Sequence, residues 1–164
     1  MATPGLIAFH SYRHGSTATP LVELGRLRRN GHRMGIDVKT AVEQLHDDLA
    51  AWLGSEADDA VFERFADAQH ESFSMVTTAG ETLRRSELLD GLRAARNASP
   101  GLRIEIGEFE EIAAETRMVV VRFLESHHHA GQISRRRVTA VLVPADGEPA
   151  LRWLAVHETP LVAS

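Results

Sequence analysis

From Leu102 to the end, the chain shows no helical periodicity. Four extended runs stand there instead, the first and last alternating apolar with polar residues and the second β-branched at its start. They are Leu102, Ile104 and Ile106 against Arg103, Glu105 and Gly107; Met118 to Ser126; Ser134 to Val143; and Leu151 to Leu161. Successive strand side chains point to opposite faces, so alternation of this length marks strands. The last run is the clearest. It sets Trp153, Ala155, His157 and Thr159 on one face and Arg152, Leu154, Val156 and Glu158 on the other. Pro160 has no amide hydrogen and closes the strand, while Asp146-Gly147 ahead of it offers the positive φ of a tight hairpin.

Helical spacing is confined to the region before this meander. Val42, Leu45, Leu49, Trp52 and Leu53 recur at three and four residues, Thr40 and Glu43 have capping-box spacing, and Gly54 ends the run. Ser55-Glu-Ala-Asp58 restarts a second, shorter helix carrying Val61, Phe62 and Phe65. Glu71 to Thr77 alternates as an early strand, and Thr78-Ala-Gly80 turns the chain. A third helix spans about 85 to 96, stopped by Asn97-Ala-Ser-Pro100-Gly101. The expected architecture is α+β, with three N-terminal helices packed in the concave face of a strongly curved, mainly antiparallel sheet. Residues 1 to 36 hold neither periodicity and are expected to form a flexible or loosely docked arm, leaving 37 to 164 as one domain.

The absence of cysteine removes disulfides and thiolate chemistry. A net charge of -5 opposes phosphate binding, and Arg84-Arg85 and Arg135 to Arg137 lack interleaved aromatics, so no nucleic-acid partner is expected. No apolar run approaches the ~20 residues of a membrane span. Gly5 to Phe9 is too short for a signal-peptide core, so a cytoplasmic location is expected.

The element order resembles the nuclear-transport-factor-2-like superfamily of cystatin-like, cone-shaped α+β barrels. The likeness is nearest its bacterial branch of unknown function, beside the polyketide-cyclase-like (SnoaL-like) and kinase II association domains. It rests on Leu45 to Gly54 in the first helix, Phe73-Ser-Met-Val ahead of Gly80, Arg135 to Val141, and Trp153 to Thr159, and covers about 37 to 162. It implies an apolar pocket open at one end of the curled sheet and a homodimer formed through the outer sheet faces. The scaffold hosts isomerases, dehydratases, cyclases and binding modules, so it does not fix function. Ketosteroid-isomerase-like and scytalone-dehydratase-like members lean on tyrosines, and the only tyrosine here is Tyr12, in the arm.

Strand register places the site. A tight turn at Ala130-Gly131 sets Glu125 opposite Arg136 and Phe123 opposite Val138; a two-residue turn at Asp146-Gly147 sets His157 opposite Arg136 and Trp153 opposite Ala140. Glu125, Arg136 and His157 are then expected as a polar cluster, with Arg135 or Arg137 replacing Arg136 if the register slips. Trp52, Phe73, Phe123, Val138, Trp153 and His157 are expected to line the pocket. A carboxylate, a guanidinium and an imidazole together bind an anionic or carbonyl-bearing ligand, or satisfy one another as a buried ion pair with a hydrogen-bonded histidine. His127-His128-His129 falls at an expected loop, where no physiological metal site is expected; His46, Asp47 and His70 are assigned solvated or capping helix positions. No cofactor is expected. The expected function is small-molecule binding. The alternatives are a cofactor-independent acid/base enzyme using His157, with Glu125 and Arg136 orienting it, and a dimeric assembly module.

Overall fold

A computed structural model describes residues 37–146 and 150–162. The expected arm and Gly147 lie outside the described residues. Among the described residues, three helices, α1 (Val38–Gly54), α2 (Asp59–Asp67) and α3 (Arg85–Ala94), accompany six strands: β1 (Gln69–Val76), β2 (Thr82–Arg84), β3 (Arg103–Glu115), β4 (Met118–His129), β5 (Gln132–Pro144) and β6 (Leu151–Leu161). The strands form one sheet in the order β2-β1-β6-β5-β4-β3. Among the described strands only the β1–β6 pairing is parallel; the rest are antiparallel, as the α+β reading expects.

Local chemistry sets the helix starts. Asp37, not Thr40, caps α1: its carboxylate accepts from the amides of Lys39 and Thr40 and from the Thr40 hydroxyl, and Glu43 instead pairs with Lys39. An aspartate with helix amides ahead of it outcompetes a threonine three residues on. Within Ser55 to Asp58, Asp58 is the residue that caps α2, accepting from the Ala60 amide. Three residues were too few for alternation to reveal β2, which pairs with β1 beyond the turn closed by Gly80, at φ 81°.

One hydrophobic core joins the helices to the inner face of the sheet. It contains Val42, Trp52, Phe62, Phe65, Phe73, Leu89, Val121, Phe123, Val138, Ala140, Leu142 and Trp153. The Trp52 indole N–H donates to the Leu92 carbonyl at 2.7 Å, tying α1 to α3. At the end of α1 a side chain on Gly54 would come within 3.0 Å of both the backbone nitrogen and oxygen of Leu102. Because those are backbone atoms, Gly54→Ala is expected to destabilise by about 1–3 kcal/mol, seen as a lower thermal midpoint.

Bulges bend the sheet. Register shifts occur in β3 between Gly107 and Glu110, where Glu108 sits at φ 49°, and between β5 and β6 at Val141/Leu142. A bulge adds a residue to one strand and so reverses the faces of the side chains beyond it.

Candidate functional site

The inner face of β4 runs Val121, Phe123, Glu125. Pairing with β5 follows the tight turn at Ala130 and Gly131, both at positive φ, so Glu125 stands opposite Arg136 and Phe123 opposite Val138. Glu125 is 3% exposed, a carboxylate inside an otherwise apolar surface. An unpaired charge there would cost several kcal/mol, and three neighbours compensate it.

The first is His46, 5% exposed on the buried stripe of α1. Its Nδ1 lies 2.7 Å from the Val42 carbonyl, and its Nε2 lies 3.5 Å from Glu125 Oε2. A carbonyl on one side and a carboxylate on the other require hydrogen on both nitrogens, so the imidazolium is the form that fits. Its ring stands edge-on to Phe123 and Trp153, with centroids at 5.3 and 5.8 Å. Burial alone would push its pKa down, but Glu125 and the Val42 carbonyl together hold it above the usual histidine value.

The second is His127, two residues along the same face, whose Nε2 hydrogen-bonds Glu125 Oε1. No hydrogen bond to its Nδ1 occurs among the described residues. Burial would raise the Glu125 pKa, yet the two imidazoles and then Arg136, the third neighbour, hold the carboxyl well below the usual range.

Arg136 reaches across to β6, placing Nη1 3.2 Å from Glu158 Oε2. Its side chain is 22% exposed and that of Glu158 12%. Burial pushes the Glu158 carboxyl up, the Arg136 charge pulls it down, and nearby Glu125 pushes it up again; the net direction is up.

Of the expected cluster, Glu125 and Arg136 meet and His157 does not. Arg135 and Arg137 alternate with Arg136 onto the outer face, where Arg137 bonds Glu108 at 2.6 Å. His157 is exposed and pairs with Thr139, whose face is also the outer one. A longer connection shifts the register by two residues, and a bulge adds a third and reverses the face of His157. The Ala145 amide donates to the Ala150 carbonyl, so the connection runs over 146–149, and the bulge near Leu154 then turns Val156 and Glu158 inward after Trp153. Pro160 stands opposite Arg136, and Glu158, opposite Val138 on the same inner face, is the β6 side chain that reaches the guanidinium.

Trp52, Phe73, Phe123, Val138 and Trp153 are all buried in the common core. A cleft of about 630 Å³ opens beside Phe73, among Ser72, Ser74, Arg84 and Ser86. A second, of about 320 Å³, lies at the β4–β5 hairpin beside Arg103, His128 and His129. The cluster lines neither of them and is reached through the partly exposed His127, Arg136 and Glu158.

Register and composition alone do not bring His46, His127 and Glu158 into the cluster. His46 lies four residues after Val42 and next to Leu45, a readable position on the apolar stripe. His127-His128-His129 ends strand β4 rather than forming a loop, so His127 faces inward and His128 outward to Glu105 at 2.9 Å. His70 lies in β1, where its Nδ1 accepts from the Ser72 amide. Among the described residues, no three His, Asp or Glu side chains are arranged to hold a metal ion, and no helix is long and apolar enough to cross a membrane.

No family model and no curated protein matches the chain. Solved structures do. A nuclear-transport-factor-2-like protein of unknown function from Pseudomonas aeruginosa matches with TM-score 0.72 and 27% identity, over 76% of this chain and 98% of that one. A similar protein of unknown function in nutrient uptake from Rhodospirillum rubrum matches with TM-score 0.59 and 17% identity, over 77% and 100% of the two chains. An uncharacterised protein with a cystatin-like fold from Caulobacter vibrioides matches with TM-score 0.59 and 14% identity, over 76% and 87%.

Proposed function

We propose, for a chain with the nuclear-transport-factor-2-like fold, that it binds a small molecule where Arg136 and His127 reach the surface of the buried cluster. The observation that carries this is the free hydrogen-bonding capacity of those two groups. Glu125 has both oxygens occupied, by His46 and His127. Arg136 commits only Nη1, to Glu158, and among the described residues nothing bonds its other nitrogens. A planar guanidinium with a free edge, beside an imidazole with a free nitrogen, matches a carboxylate or carbonyl oxygen. The partly buried Ile106, opposite Glu125 on β3, supplies apolar surface beside it.

A second reading is favoured by the Glu125–His127 pair. A carboxylate that fixes one imidazole nitrogen and leaves the other open is how histidine is readied to carry protons. Cofactor-independent acid/base turnover would then use His127 in the role expected of His157.

Both readings are tested by titrating isotopically labelled protein with small carboxylates and ketones while following amide resonances, alongside native mass spectrometry for a co-purified ligand. Shifts centred on residues 125 to 136, weakened at least tenfold by Arg136→Met, are expected. Absence of both shifts and bound mass would leave the assembly reading. A homodimer through the outer sheet faces is part of the same proposal, and a solution mass of twice the 18.1 kDa chain is the expected result. A cytoplasmic setting is proposed on the cysteine-free composition.

A further inference from the structure

Resting on that reading, we propose that the ligand is a carboxylic acid and that Glu158 takes up one proton as the ligand carboxylate docks on Arg136. The charges facing Glu158 come from three elements: Arg136 on β5, Glu125 and His127 on β4, and His46 on α1. Its neighbours on its own inner strand face, Val156 and Pro160, are uncharged.

With both carboxyls ionised, the His46 imidazolium and the Arg136 guanidinium are cancelled by Glu125 and Glu158. Such a site has no net attraction for an anion, and a third carboxylate beside Glu158 would meet like charge at close range. A proton on one carboxyl leaves one positive charge, which a monoanion neutralises. Glu125 is the poorer acceptor because it already bonds His127 and pairs with His46. Glu158 has a single ion-pair contact, at 3.2 Å, and is mostly removed from water. Burial favours its neutral form, consistent with a pKa raised above the usual range.

The step balances without any other reactant. A ligand carboxylate and one solvent proton enter, an O–H bond forms on Glu158, and the Arg136–Glu158 contact gives way to an Arg136–ligand contact. Nothing is oxidised or reduced.

The test is calorimetric titration of the full chain with benzoate and, separately, with the neutral cyclohexanone, in buffers of different ionisation enthalpy from pH 6 to 9. Uptake of about one proton per benzoate is expected, with Kd rising about tenfold per pH unit once free Glu158 is ionised. Glu158→Gln should flatten that dependence while His127→Gln leaves it in place. The wild-type buffer series stands without either variant. Benzoate binding without proton uptake, or an unchanged slope in Glu158→Gln, overturns the proposal. Binding of cyclohexanone alone overturns it but spares the small-molecule reading, whereas binding of neither probe overturns both.

Discussion

Glu125→Ala is expected to lower the unfolding free energy by about 3–5 kcal/mol, because it strips the counter-charge from an imidazolium buried beside two aromatic rings. The loss is large against the roughly 5–15 kcal/mol that holds a domain folded. Glu125→Gln keeps an acceptor for His127 and should cost less. His157→Gln, on the exposed outer face, should stay within about 0.5 kcal/mol. Equilibrium denaturation of the three variants checks the order.

The same substitution should change how stability depends on pH. Glu125 is held below its ordinary value, so its stabilisation is present above about pH 4.3 and fades as pH falls through the lowered value. His46 is held above its ordinary value, so its contribution is complete below about pH 6.5 and fades as pH rises through the raised one. Glu158 is also raised, and it loses stabilisation as pH climbs through its folded value. The wild-type maximum is therefore expected on the mildly acidic side of neutrality. Without Glu125, burial is opposed only by the Val42 carbonyl and Glu158, and His46 moves toward the neutral form. The limbs due to Glu125 and His46 should both shrink, and an unaltered profile in Glu125→Ala would show that the carboxylate does not hold the imidazole.

How far the sequence reveals this site depends on the spacing of its backbone turns. The β4–β5 pairing is legible because Ala130-Gly131 is a true two-residue turn, so counting outward from it places Glu125 against Arg136. The β5–β6 pairing is not, although Leu151 to Leu161 is delimited correctly as a strand. Alternation there looks uninterrupted, and Leu154 carries no glycine or proline to mark a bulge. The longer connection and the extra residue together shift the register by three, setting Pro160 opposite Arg136, and the extra residue alone turns Glu158 inward in place of His157. His46 is a different case. A solvated or capping role is expected of it, yet its position beside the stripe of Val42, Leu45 and Leu49 places it inward. Helical spacing was the better guide, because a buried polar group is tolerated once a partner satisfies it, and that partner comes from a strand some eighty residues away. The helix pattern and the strand pattern each locate half of the pair; only the packing joins them.

Trp153→Ala should cost about 3–5 kcal/mol through the cavity it leaves, since the indole is 3% exposed and lies in the common core. The effect should also reach the site. Trp153 and Phe123 stand edge-on to one another at 6.4 Å and both meet the His46 ring, so the indole forms part of the wall that keeps water from the His46–Glu125 pair. Admitting water weakens both influences on His46: burial, which disfavours its charge, and the field of Glu125, which favours it. Burial is the largest single influence, but Glu125 and the Val42 carbonyl together outweigh it in the native protein, so the His46 pKa should move down toward the ordinary histidine value as all of them weaken. Imidazole proton resonances followed through a pH titration measure that movement, and Trp52 remains as the fluorescent reporter of unfolding. Trp153→Phe restores most of the buried ring and should recover much of both losses. If the alanine variant loses stability while His46 titrates unchanged, the core and the polar cluster are energetically separate, and the indole serves packing alone.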